Sequence, residues 1–247
     1  SVARKKLGDS TFILGHHYQR EEIIKFADLR GDSFKLSQYA ATQRDVDNII
    51  FCGVHFMAET ADILSDPSQN VILPNLAAGC SMADMAETED VADCWDALLD
   101  ILGTDVVTPV TYMNSTAAIK ALCGKNNGIV CTSSNASATF NWAYKKTGKI
   151  LFLPDQHLGR NTGVKLGLSL SDMIIWDPFK PLGGNSEESI SQAKLILWKG
   201  HCSVHTRFNI TQINNAREKF PDVTVLVHPE CTNDVVNAAD LNGSTEF

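Results

Sequence analysis

The chain has 247 residues, 44% of them hydrophobic and 20% charged, with 29 acidic against 21 basic side chains and a formal net charge of -8. Such a composition belongs to a globular chain and excludes disorder and fibrous repeats. Without a Lys/Arg run it also excludes a binder of nucleic-acid backbones, because phosphate neutralisation needs a clustered basic footprint. No stretch has the ~18 apolar residues of a membrane helix, and the apolar run near the start is too short for a secretory signal. No membrane association and a cytoplasmic location are therefore expected. Seven cysteines, an odd number, cannot all pair internally and are too few for a disulfide scaffold. Reduced thiols, some of them metal ligands, fit better.

In chain order, one pattern recurs: a short β-rich strand, a polar and aromatic loop, an amphipathic helix and then a small hydroxyl residue. It occupies residues 11–33, 106–136 and 223–245. Each strand ends in side chains suited to a site, namely His16, His17 and Tyr18, then Tyr112 and Asn114, then His228 and Glu230. Each helix is followed by hydroxyls: Ser33, then Thr132 and Ser133, then Ser244 and Thr245. In the first two copies a second strand follows, in NIIFC and in KILFL. A third follows in NVIL and in KLILW, and both third strands lead to a cysteine, Cys80 or Cys202. GKNNG and PFKPLGGNSEESISQ read as inserts that lengthen the second copy.

Strands alternating with helices predict a parallel α/β architecture, with ligands outside the carboxyl ends of the strands. Three copies about a pseudo-threefold axis would aim those ends at a central cavity, each supplying one cysteine. The third copy stops at Phe247, so its cysteine is expected beyond the sequence. Ser1 and the terminal GSTEF both read as cut ends. Three thiolates far apart in sequence, with no CxxC pair, do not fit a zinc ribbon. They fit a [4Fe-4S] cluster in which one iron lacks a protein ligand and acts as a Lewis acid.

The segments GHHYQ, GDS, GVHFMAETA, LPNLAAGCSMA, VTYMNSTAAIKA, CTSSNA, FLPD, WKGHCSVH and HPECTNDVV, followed by GST, together resemble the quinolinate synthase family. The resemblance spreads over nearly the whole chain. It implies three-layer αβα repeats with parallel sheets around a central cluster, here a first repeat at 1–82, a second at 83–203 and an incomplete third at 204–247. It implies a transferase of NAD biosynthesis that condenses iminoaspartate with dihydroxyacetone phosphate, loses phosphate and two waters, and forms pyridine-2,3-dicarboxylate. L-Aspartate oxidase enters as a transient partner on the same ground.

Carried over by position, Cys80 and Cys202 resemble the first and second ligands of the [4Fe-4S] cluster. His16 and Tyr18 match the first-repeat motif. Tyr18, Tyr112 and Glu230, with His16, are the candidates for proton transfer, which needs groups able to give and take protons. His16, Ser33, Tyr112, Asn114, Ser133, His228, Ser244 and Thr245 are the candidates for binding substrate carboxylates and phosphate. Hydroxyls, imidazoles and helix-end N–H groups can hold a dianion without a basic patch.

His205 matches a family position near the second cluster ligand. His55 and His157 follow second strands and could face the cavity. Cys52, Cys94, Cys123 and Cys131 read as small apolar core residues. Two other readings stay open: a cluster-free aldolase or isomerase acting on a sugar phosphate, and an inactive fragment of the synthase. With two of three cluster cysteines, residues 1–247 alone are expected to show weak or absent activity.

Overall fold

A computed structural model describes residues 2–245 and 247. The chain divides after Cys80 into two units.

The first unit runs in the order α1 (Val2–Leu7), β1 (Thr11–His16), α2 (Glu21–Ile24), β2 (Leu29–Gly31), α3 (Ser33–Thr42), β3 (Asn48–Cys52), α4 (His55–Leu64) and β4 (Asn70–Ile72). Its four strands form one parallel sheet in the order β2-β1-β3-β4. Leu14, Ile49 and Phe51 are fully buried. Each contributes about 1.5–3 kcal/mol relative to exposure. Asp32 caps α3, its Oδ1 accepting from Lys35 N at 2.8 Å, which satisfies an N–H that the helix leaves unpaired. Leu36 and Ala40 of α3 and Ala61 of α4 are buried. Arg4 of α1 grips both carboxylate oxygens of Asp28 at 2.8 Å.

The second unit continues with α5 (Thr88–Leu102), β5 (Val107–Tyr112), α6 (Ala117–Lys125), β6 (Ile129–Cys131), α7 (Ala136–Lys146), β7 (Lys149–Leu153), α8 (Gln156–Lys165), β8 (Met173–Trp176), α9 (Glu187–Gln192) and β9 (Leu195–Trp198). After them come α10 (Ile210–Lys219), β10 (Leu226–Val227), α11 (Asn233–Ala238) and β11 (Leu241–Asn242). Five strands make a parallel sheet in the order β6-β5-β7-β9-β8, and β10 pairs β11 in parallel. All four side chains of β9 are fully buried, as expected of a parallel strand covered on both faces. Asp155, Ser186 and Asn209 cap α8, α9 and α10.

The two large sheets share the order 2-1-3-4 if β9 stands for β4, so the repeat read from the sequence is a repeat of topology. Every strand pair is parallel. The third copy of the pattern is present as β10, α11 and β11.

Three details differ from the expectation. The second strand of each copy (β2, β6 and β11) is a two- or three-residue edge strand just ahead of the hydroxyls. Such a strand is too short to show alternation. The first amphipathic helix is a single turn, Glu21–Ile24, and Gly15 sits beneath it, where a Cβ would stand 2.5 Å from Ile24 Cδ1. The second copy also adds a whole edge strand, β8, just ahead of the PFKPLGGNSEESISQ insert, with its residues 173–176 hydrogen-bonded along β9. No helix among the described residues is long and apolar enough to cross a membrane.

Candidate active site

In the first unit, His16 ends β1 and is 5% exposed. Its Nδ1 accepts from Tyr18 N at 3.3 Å, which places the proton of the neutral ring on Nε2, 3.5 Å from Ser33 Oγ. Ser33 opens α3, and the Tyr18 ring lies 4.6 Å from the His16 ring with its side chain turned to solvent. Burial, with the nearby His17, pushes the His16 pKa down to about 4 against the pull of Asp32, so the ring is neutral at pH 7.

That shift has a consequence for stability. An unfolded His16 takes up its proton near 6.5 and the folded one near 4, so the unfolded chain binds more protons between these values. Stability is complete above 6.5 and is lost as pH falls towards 4. His157, lowered to about 4 by burial and by Arg160 and His201, acts in the same direction. Thermal midpoints between pH 6.5 and 4 are expected to fall, and less steeply in His16→Asn, whose amide oxygen keeps the acceptor. An unchanged slope in the variant would refute the assignment.

The second unit gathers a denser cluster. Tyr112 ends β5, 7% exposed, and its hydroxyl donates to Glu230 Oε1 at 2.8 Å. Ser133, two residues past β6, hydrogen-bonds to Tyr112. His205 Nδ1 donates to Glu230 Oε2 at 2.9 Å, and His228 Nδ1 lies 3.7 Å from Oε1. The two imidazoles stack at 4.6 Å between centroids. Glu230 N donates to His228 Nδ1 at 3.3 Å, repeating in the third copy the turn that His16 and Tyr18 make in the first.

The charges follow from these contacts. Glu230 is 3% exposed; burial opposes its charge, but the His205 bond, the two neighbouring histidine rings and the Tyr112 hydroxyl more than offset this, and its carboxyl lies below the usual range. Burial likewise opposes a charge on His205, yet its bonds to Cys202 and Glu230 raise it to about 10. Burial, and then Glu230, push the Tyr112 phenol well above its ordinary value. Burial and His205 hold His228 low against the pull of Glu230. At neutral pH the site thus contains a carboxylate, an imidazolium, a neutral imidazole and a phenol.

A second acid stands close by. Asp155 is fully buried; its Oδ1 accepts from His157 N at 2.7 Å and Leu158 N at 2.9 Å, and its Oδ2 has no partner among the described residues. Burial and the charge of Glu230 raise its pKa, so of the two carboxyls Asp155 keeps the proton.

The remaining candidates have definite places. Asn114 is half-buried in the turn after β5, a turn closed by Ser115 Oγ donating to Tyr112 O at 2.8 Å. Ser244 and Thr245 follow β11, and the register of Val227 with Asn242, carried forward, puts Thr245 where Ser33 and Ser133 stand in their copies. Cys202 is half-buried in the loop after β9, and its Sγ, a His205 nitrogen and a Glu230 oxygen lie within 4.8 Å of one another. Cys80, also half-buried, ends the first unit. The residues that follow the two cysteines, Ser81 and Ser203, approach to 3.4 Å through their hydroxyls. Cys94, Cys123 and Cys131 lie in the core at 1%, 0% and 1% exposure.

The family model described as quinolinate synthetase A protein matches residues 1–247, the whole chain. The chain belongs to that family. It is 59% identical to a quinolinate synthase of Nocardioides sp., covering 100% of this chain and 64% of the relative. It is 57% identical to one of Streptomyces coelicolor, covering 100% and 63%. It is 52% identical to one of Bacillus subtilis, covering 100% and 67%. The chain therefore spans 63–64% of the length of the first two relatives.

For a chain of the quinolinate synthetase A protein family, two buried residues matter here beyond the expected ones: Asp155, and Asn161 of α8, whose Nδ2 donates to Pro229 O and Cys231 O on either side of Glu230. Asp155 stood in the FLPD segment, and an Asp after Pro and before a helical stretch is an N-cap signal. Asn161 had no signal, since an amide inside a helix is by itself a solvated side chain.

Proposed function

We propose that this chain carries most of the machinery of a quinolinate synthase, which joins iminoaspartate to dihydroxyacetone phosphate and releases phosphate and two waters. The observation that supports it best is the buried Glu230, held between Tyr112 and His205 beside Cys202. Condensation and dehydration need one group to remove a proton and another to deliver one. Glu230 is the base, because its charge is stabilised in place. Tyr112 and His205 deliver protons from the two sides of the same carboxylate, and their phenol and imidazolium remain protonated at neutral pH.

His16 and His228 each present a neutral Nε2–H, and with Ser33, Asn114, Ser133, Ser244 and Thr245 they bind the carboxylates and phosphate of the substrates. Donors of this kind need no basic patch, in agreement with the net charge of -8. Tyr18 is a further proton carrier at the mouth of the first-repeat site. L-Aspartate oxidase, as a transient partner, and a cytoplasmic location belong to the same proposal, as does the division into repeats at 1–82, 83–203 and 204–247.

The cofactor is proposed to be a [4Fe-4S] cluster. The residues present fit it in chemistry. Cys80 and Cys202 follow β4 and β9, which take corresponding places in the two sheets. Both oxygens of Glu230 are already engaged, which leaves the Cys202 thiol as the soft donor of its group. Cys80 and Cys202 would hold the cluster. When bound, an iron with an open position supplies a Lewis acid for a substrate hydroxyl.

The test is anaerobic purification of a form of the relatives' full length that contains this sequence, with iron and sulfide counted and quinolinate measured. Iron, sulfide and quinolinate together are expected. Turnover that survives complete iron removal would move the reading to a cluster-free aldolase or isomerase.

A further inference from the structure

Asn161 lies in the middle of α8 and is 8% exposed. A buried amide is costly unless its donors and acceptor are matched. Here they are. Its Nδ2 donates to Pro229 O and to Cys231 O, both at 2.8 Å, and its Oδ1 accepts from Asn233 Nδ2 at 2.9 Å. Pro229 and Cys231 are the two neighbours of Glu230, so one side chain holds the backbone on either side of the acid.

The N-terminal end of α8 is tied to the cysteine loop. Asp155 pairs with Gly200 in a parallel bridge, and Gln156 N donates to Gly200 O at 2.9 Å, two residues before Cys202. Glycine is required at 200, since a Cβ there would run into the carbonyl oxygen of Pro154. Between its two ends the helix lies close on the sheet, because a Cβ on Gly159 would stand 2.5 Å from Leu197 Cδ2 and Phe152 Cδ1. The body of α8 is therefore fixed against β7 and β9.

From this geometry we infer that α8 is a bracket that sets the Glu230 loop against the Cys202 loop, with Asn161 as its positioning residue. The bracket rests on contacts alone; only its kinetic consequence rests on the function proposed above. Asn161 touches no reacting atom. It acts by fixing where the Glu230 carboxylate stands.

The test has two readouts. In the 247-residue chain, amide exchange of residues 228–233 is expected to rise ~10-fold or more in Asn161→Ala, because the segment loses the amide that anchors it on α8 while β9 keeps its protection. In the form of the relatives' length, kcat is expected to fall ~10²-fold with KM changed less than ~3-fold, as for a displaced catalytic group. Asn161→Asp, equal in size but with an acceptor facing two carbonyls, is expected to fail in the same way. If Asn161→Ala does not fold, Asn233→Ala removes only the donor that orients the amide and is expected to give the same exchange pattern at smaller amplitude.

Unchanged exchange at 228–233, in Asn161→Ala or in its substitute, would overturn the bracket. Faster exchange with wild-type kcat would overturn the positioning role. Faster exchange in the variant, with no quinolinate from the unaltered enzyme, would reject the proposed function and leave the bracket standing.

Discussion

Glu230→Gln, made in a form of the relatives' full length, is expected to lower kcat by ~10²–10⁴-fold, the range for removal of a general base, with KM little changed. Gln keeps the size of the side chain and can still accept from Tyr112. It cannot stabilise an imidazolium as the carboxylate does, so the Glu230 part of what raises the His205 pKa to about 10 is lost and that pKa falls, while the Cys202 bond remains. One substitution thus removes the base and weakens the charge on one of its proton donors. The fold is expected to survive. Gln keeps the shape and the Tyr112 bond, and a His205 free to shed its proton leaves no unpaired charge buried. Steady-state kinetics with a thermal melt decide the matter. A folded variant with kcat within threefold of wild type would remove Glu230 from the mechanism.

Cys202→Ser and Cys80→Ser are each expected to abolish cluster assembly, with iron and sulfide at background and quinolinate formation lost. A hydroxyl is a hard, weakly acidic donor and does not replace a soft thiolate on iron. The control is Cys123→Ala. Cys123 is fully buried on α6, and burial pushes its thiol up to about 12. It is a core side chain, and its removal is expected to cost stability and leave iron content unchanged. Wild-type iron in both Ser variants would reject the two ligands. Loss of iron in Cys123→Ala without loss of fold would reject the separation of core from ligand cysteines.

The separation was partly legible before any coordinates. Cys80 and Cys202 ended corresponding segments of a repeat, and Cys94, Cys123 and Cys131 did not. The strand-end side chains were legible for the same reason: an internal repeat aligns positions, and His16, Tyr112 and His228 fell at one of them. Parallel strands covered on both faces leave few polar residues, so the polar residues at their carboxyl ends stood out.

The short edge strands were not legible, since two or three residues show no period. The strand β8, four residues just ahead of the Gly- and Pro-containing insert, had no counterpart in the first copy to align with. Asn161 was hidden for a different reason. Its Nδ2 partners are the backbone of Pro229 and Cys231, far away in sequence, and every residue possesses such atoms. Asp155 was legible as a helix cap, but not the charge of Glu230 beside it.

By itself the sequence determined the repeat, the alternation of strands and helices, the chemical types at the strand ends and the family resemblance. These depend on local propensity and on residue identity. Only the tertiary structure decided which groups share a proton and which side is charged. Tyr112, His205 and His228 meet at Glu230, and Asp155 keeps its proton because that charge is near and water is not. Ionisation in a buried cluster is set by desolvation and by charges a few ångströms away, and both exist only once the chain has folded.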